Sequence, residues 1–132
     1  MSTRSAICYR NAFGNIVTNY CHYDGYLENN GVLLFKHYNN SNKVNRLIFG
    51  GENGNAISGI EDSGKAVYMV YEDSIMYFEN EGKLLDYYID SPCEFLYLFD
   101  EKTQEWWYTT DFKNMNPLRV SLEKRCLIAP TL

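Results

Sequence analysis

Arg4, His22 and Asp24 are the residues of this chain whose types and spacing could do chemistry. His22 and Asp24 lie within the stretch Tyr20-Cys21-His22-Tyr23-Asp24-Gly25-Tyr26, which holds one of only two histidines among 132 residues. An arginine, a histidine and a carboxylate at one mouth can grip a phosphate or move a proton, because His titrates near neutrality. The same residues also make a bonded corner. Asp24-Gly25 is a turn pair, Asp24 can bond its own backbone, and Arg4 can pair with Asp24 to hold the N-terminus down. The candidate ligand-binding set is Arg4, Tyr20, His22, Tyr23, Asp24, Tyr26, His37 and Tyr38, and no residue is assigned as catalytic.

Two further groupings are weighed and set lower. His37 falls on an apolar helix face beside Leu33 and Leu34, where a lone His is usually a satisfied core residue. With His22 and Asp24 it could form a metal set, but no ligand spacing supports one, so neither a metal nor a cofactor is expected. The four cysteines, at 8, 21, 93 and 126, contain no Cys-x-x-Cys pair and read as reduced thiols of a cytoplasmic protein. Cys21 and His22 are strand neighbours pointing to opposite faces, which argues against a Cys–His nucleophile pair. Trp106-Trp107-Tyr108 is a candidate partner-binding surface, with Trp106 and Tyr108 on one strand face and Trp107 on the other.

These residues must be held by elements that local pattern predicts. Ser5 to Arg10 and Ile16 to Tyr23 read as a hairpin closed by a turn at Asn11–Asn15. In a symmetric hairpin, opposed residue numbers sum to about 26, placing Arg4 across from His22 and Ala6 across from Tyr20. Leu33, Leu34, His37 and Tyr38 share a helix face, capped by Asn29 or Asn30. Ser41 is the expected cap of a second short helix whose Val44, Leu47 and Ile48 share a face. Gly50-Gly51-Glu52-Asn53-Gly54-Asn55 reads as a flexible connector, since no Gly-Lys-Ser/Thr follows to make a phosphate loop. The second half reads as largely β, with strands at 66–71, 74–78 and 84–89. A closing hairpin joins 94–99 to 106–110. Pro117 breaks an element, and 118–122 is a last strand or a short helix. The fold class expected is α+β: a single domain over 1–132, with a mainly antiparallel sheet and one or two short helices packed on it. Residues 1–49 supply a hairpin and two short helices; 64–125 are mainly β.

Composition narrows the function classes. A net charge of −5 argues against nonspecific nucleic-acid binding, which needs clustered Lys and Arg. It suits a basic protein partner, or a small ligand held by one or two arginines. The N-terminus reads without a signal peptide, and no apolar run approaches a membrane span. Twelve tyrosines make many amphipathic side chains available at the surface, although Tyr also simply favours strands.

Several motifs carry a resemblance. Met1-Ser-Thr-Arg-Ser-Ala-Ile7, Tyr20-Cys-His-Tyr-Asp-Gly-Tyr26, Gly31-Val-Leu-Leu-Phe-Lys-His-Tyr38 and Asn42 to Ile48 resemble a family of small phage, prophage and bacterial proteins. So do Glu94-Phe-Leu-Tyr-Leu-Phe-Asp100 and Trp106-Trp-Tyr108. The match is weakest over 50–90, and Tyr23 stands where many members have Trp. The resemblance implies a mobile-element accessory protein in the host cytoplasm and brings no activity with it. Three functions follow as expectations. The first is a non-enzymatic counter-defence factor that binds and blocks a host defence or regulatory protein. The second is a sponge for a small nucleotide-like immune signal. The third is a small enzyme using His22 and Asp24 as acid and base.

Overall fold

Alternation and turn chemistry build the first hairpin. β1 (Ser5–Arg10) and β2 (Ile16–Cys21) pair antiparallel, with Ala6 opposite Tyr20 and Ser5 opposite Cys21, the register predicted from symmetry. Asn11 closes the turn: its side-chain oxygen accepts from the amides of Phe13 and Asn15 at 2.9 and 3.0 Å. These coordinates are a computed structural model that describes residues 2–130. Met1 of the opening motif lies outside them.

Residues 27–31 form one turn of π-helix that runs directly into α1 (Val32–His37), and α2 (Ser41–Phe49) follows. The cap of α2 is Asn40, whose side chain accepts from the Lys43 amide at 2.9 Å; Ser41 is already the first helical residue. Next come β3 (Ile57–Ile60), β4 (Ala66–Tyr68), β5 (Met76–Phe78) and α3 (Glu81–Tyr88). β6 (Phe95–Asp100), β7 (Glu105–Thr109), β8 (Asn116–Pro117) and α4 (Leu118–Lys124) complete the chain.

The strands form one sheet in the order β4-β3-β2-β1-β6-β7-β8, with β5 also on β2. The α+β class holds. Most pairs are antiparallel, but β1 runs parallel to β6, Ser5 beside Phe95 and Arg10 beside Asp100, and β2 meets β3 in parallel at Cys21 and Ile57. The strands β1 and β6 are apolar at nearly every position because both faces of the sheet are covered. Ile7, Tyr9, Tyr97 and Phe99 pack on one side with Leu34, Leu47 and Leu118 from α1, α2 and α4. Ala6, Cys8, Leu96 and Leu98 pack on the other with Leu84, Leu85 and Tyr88 from α3. Among the described residues no helix is long and apolar enough to cross a membrane.

Two readings of the middle third need correction. Residues 84–89, expected as a strand, belong instead to helix α3 and its end, so 64–125 is less purely β than its propensities suggest. The helix signal was present: Asn80 caps it by accepting from the Lys83 amide at 2.9 Å, Glu81 sits in the first turn, and Leu84, Leu85 and Tyr88 share a face. The Gly50-Gly51 pair, read as a flexible connector, is a close-packing point. A Cβ on Gly50 would lie 2.4 Å from the Tyr68 hydroxyl, and one on Gly51 2.7 Å from its ring. Their absence lets that hydroxyl donate to the Leu47 carbonyl at 2.5 Å, near the C-terminal end of α2.

Charge ties the two-faced sheet together at one end. Arg10 bonds Asp100 at 2.8 Å and Glu81 at 2.9 Å, joining β1, β6 and α3. Burial pushes Asp100 up, but Arg10 and the Thr103 amide and hydroxyl outweigh it and hold the carboxyl below its usual range. The exposed Asp111 is also depressed, by the amides of Asn114 and Lys113 and by the Asn114 and Thr109 side chains. A depressed carboxylate contributes stability that is complete above its unfolded value and lost as pH falls through the folded one. Denaturant midpoints are therefore expected to hold level above about pH 5 and to fall below it. Asp100→Asn flattens that acid slope, which urea titrations from neutral pH down to about pH 2 measure directly.

Candidate functional site

The hairpin brings Arg4, just before β1, to the open end of β2, beside Tyr20 and His22. Strand alternation sends Tyr20 and His22 to the α3 face and Cys21 to the other. On the α3 face they line a groove of about 530 Å³. Its further walls come from distant segments. Met69, Tyr71 and Asp73 arrive from the β4–β5 connection, Tyr87 and Tyr88 from α3, and Cys93 from the loop into β6. The volume falls within the range of small-molecule sites.

The polar end of the groove is a connected set. The Tyr20 hydroxyl and His22 Nδ1 are 2.7 Å apart. Burial pushes the Tyr20 phenol up, and the adjacent Arg4 guanidinium draws it partly back. Burial likewise pushes the Cys93 thiol up to about 11, against the opposing pull of Ser91 and Arg4. Arg4 thus stands between a phenol and a thiol, both uncharged at neutral pH. Among the described residues it is in no salt bridge, whereas Arg10 and Arg125 are closed on Asp100 and Glu28 at 2.8 and 2.7 Å. Tyr88, at the groove's inner wall, shares a 2.9 Å hydrogen bond with Thr18, and burial pushes its phenol well up.

The other predicted residues are placed elsewhere. Asp24 adopts φ of 57°, and its carbonyl accepts from the Asn30 amide at 3.3 Å. No hydrogen bond or ion pair joins its carboxylate to His22 or Arg4 among the described residues. Tyr23 is half exposed and sets its ring edge against His22, 4.5 Å between centroids. Tyr26 is exposed and precedes the π-turn. His37 and Tyr38 are on the opposite face of the sheet, with α1. A Cβ on Gly64 would stand 2.5 Å from the His37 ring, and the Tyr38 hydroxyl donates to the Gly64 carbonyl at 2.5 Å. His37 therefore does not converge with His22 and Asp24.

Of the expected aromatic surface at 106–108, one ring is closed off and two stay half-buried. Trp106 is buried, and its indole donates to the Tyr38 carbonyl at 2.8 Å. Trp107 packs on the α3-side core, and Tyr108 meets Ser121 of α4 at 2.7 Å. The faces alternate as predicted, and Trp107 and Tyr108 each keep part of their surface exposed.

Much of Tyr20–Tyr26 is the bonded corner. The Gly25 amide donates to Thr3 at 2.9 Å, and the Tyr97 hydroxyl donates to the Gly25 carbonyl at 2.6 Å. A Cβ on Gly25 would meet Ser5 Cβ at 2.8 Å and the Thr3 carbonyl at 2.9 Å, so the corner closes only around glycine. Asn30, fully buried, reaches Ser5 Oγ at 3.3 Å and Cys21 Sγ at 3.4 Å. Burial pushes the Cys21 thiol up to about 11, so it is not a thiolate nucleophile.

Sequence reasoning missed Met69, Tyr71, Asp73, Tyr87 and Cys93, which no motif marks. Exposed tyrosines in the 71–88 segment were the available hint. No protein-family model matches the chain, and neither a curated protein nor a solved structure is significantly similar to it.

Proposed function

We propose that this chain acts by binding: a phage-type accessory protein that sequesters a small nucleotide-like anion in the Arg4–Tyr20–His22 groove. The observation that carries this reading is Arg4, an arginine with no salt bridge among the described residues, in a concave site whose walls are rich in tyrosine and methionine and hold Asp73 as their one carboxylate. A guanidinium is the side chain best shaped for a phosphate or carboxylate. Tyr71 and Tyr87 offer ring faces to a base, and Asp73 offers an acceptor to a sugar hydroxyl or exocyclic amine. Sequestering a signal needs affinity and no turnover, which suits a site whose thiol and phenol stay protonated.

The test is calorimetric titration of the purified chain with mononucleotides, cyclic nucleotides and ADP-ribose-type compounds. At least one gives saturable heat and raises the melting temperature through mass action. A silent panel removes the reading. The second reading, a blocker of a host protein, draws on exposed apolar side chains. Val70 is 95% exposed, and Tyr71, Tyr87 and Ile89 are exposed as well; Tyr71 and Tyr87 also line the groove. A silent panel combined with a host protein captured by the wild type, and lost with Tyr71→Ser/Tyr87→Ser, selects that reading instead.

A further inference from the structure

A second concave site lies on the other face of the sheet, where α1, the β6–β7 hairpin and the start of α4 meet around a cleft of about 400 Å³. We propose that this cleft binds a small amphipathic anion: a planar apolar body carrying a carboxylate or phosphate head. Its floor is aromatic. Trp106 is 5% exposed with its indole N–H already committed to the Tyr38 carbonyl, so it presents only apolar ring surface. Phe35 and Pro117 extend that surface on either side.

The rim is cationic. The Arg119 guanidinium carbon is 5.7 Å from the centroid of the Phe35 ring, close enough for a cation–π contact. Lys36, next to Phe35 on α1, lines the same cleft. Neither cation is in a salt bridge with any described residue, in a chain whose net charge is −5. Glu105 is the carboxylate among the lining residues, so the cleft keeps a positive excess. An inorganic anion would leave the aromatic floor unused, and a neutral apolar ligand would leave both cations unused. The two features together select an amphipathic anion.

The Trp106 indole N–H signal in proton–nitrogen correlation spectra reads this cleft, because Trp107 lies in the opposite core. The probes are indole-3-acetate, phenyl phosphate and the neutral indole-3-acetamide. Either anion shifts the Trp106 signal saturably, and the amide binds about tenfold more weakly. Arg119→Gln and Lys36→Gln, both at exposed helix positions, weaken the anion, with about a tenfold loss for arginine. Lys65→Gln, in the β3–β4 turn, leaves it unchanged. Preference between the two anions identifies the head group. No saturable shift up to about 10 mM, equal binding of acid and amide, or unchanged affinity in both variants overturns the proposal.

Discussion

Arg4→Glu lowers affinity for a nucleotide-like anion by more than about a hundredfold, and Arg4→Gln by about tenfold. The expectation rests on the worth of a charge-assisted hydrogen bond, roughly 1.5–3 kcal/mol, with charge reversal added for glutamate. The fold tolerates both changes. Arg4 anchors the chain through its backbone carbonyl, which accepts from the Glu94 amide at 2.9 Å, and its side chain is in no salt bridge with a described residue. Calorimetry on both variants, with melting temperatures alongside, separates binding from stability. His22→Ala removes the hydrogen bond to Tyr20 but no fixed charge, so its loss is smaller than that of Arg4→Gln. Equal affinity in wild type and Arg4→Glu moves the anion out of this groove.

Asn19→Leu destabilises the chain by about 3–6 kcal/mol, a large part of the roughly 5–15 kcal/mol available to a domain of this kind. The outer edge of β2 has two partners. Ile16 to Thr18 pair with β5, and Cys21 pairs with β3. Asn19, fully buried, fills the break between them. Its amide donates to the carbonyls of Ile48 and Asn55, both at 3.0 Å, and its oxygen accepts from the Tyr20 amide at 2.8 Å. Leucine has similar volume but leaves those three backbone groups without that partner, each costing about 1–3 kcal/mol. Urea denaturation measures the loss, and a change below about 1.5 kcal/mol means that the backbone groups find other partners. Because Tyr20 is one of the groups held, a milder variant such as Asn19→Ser is also expected to weaken ligand binding in the groove.

The hairpin of β1 and β2 was legible because its determinants are local. A turn sets the register, and a period of two assigns each side chain to a face. This placed Arg4, Tyr20 and His22 at one mouth and separated Cys21 from His22. The same logic assigned Trp106 and Tyr108 to one face and Trp107 to the other. It could not say how far those faces were open, because what packs on them comes from elsewhere in the chain. Helix α3 was misread although its cap and its apolar spacing were present, since Leu-Leu-Asp-Tyr-Tyr-Ile also satisfies strand propensity.

By itself, then, the sequence determined the α+β class, both long hairpins and which groove residues share a strand face. The tertiary structure decided the rest. It set β1 beside β6 across some 90 positions of chain, sent His37 and Tyr38 to the far side of the sheet, and completed the groove with residues 69–93. The physical reason is range. Turn geometry and side-chain alternation act over a few residues, whereas the walls of a groove depend on which distant strands and helices bury one another's apolar faces.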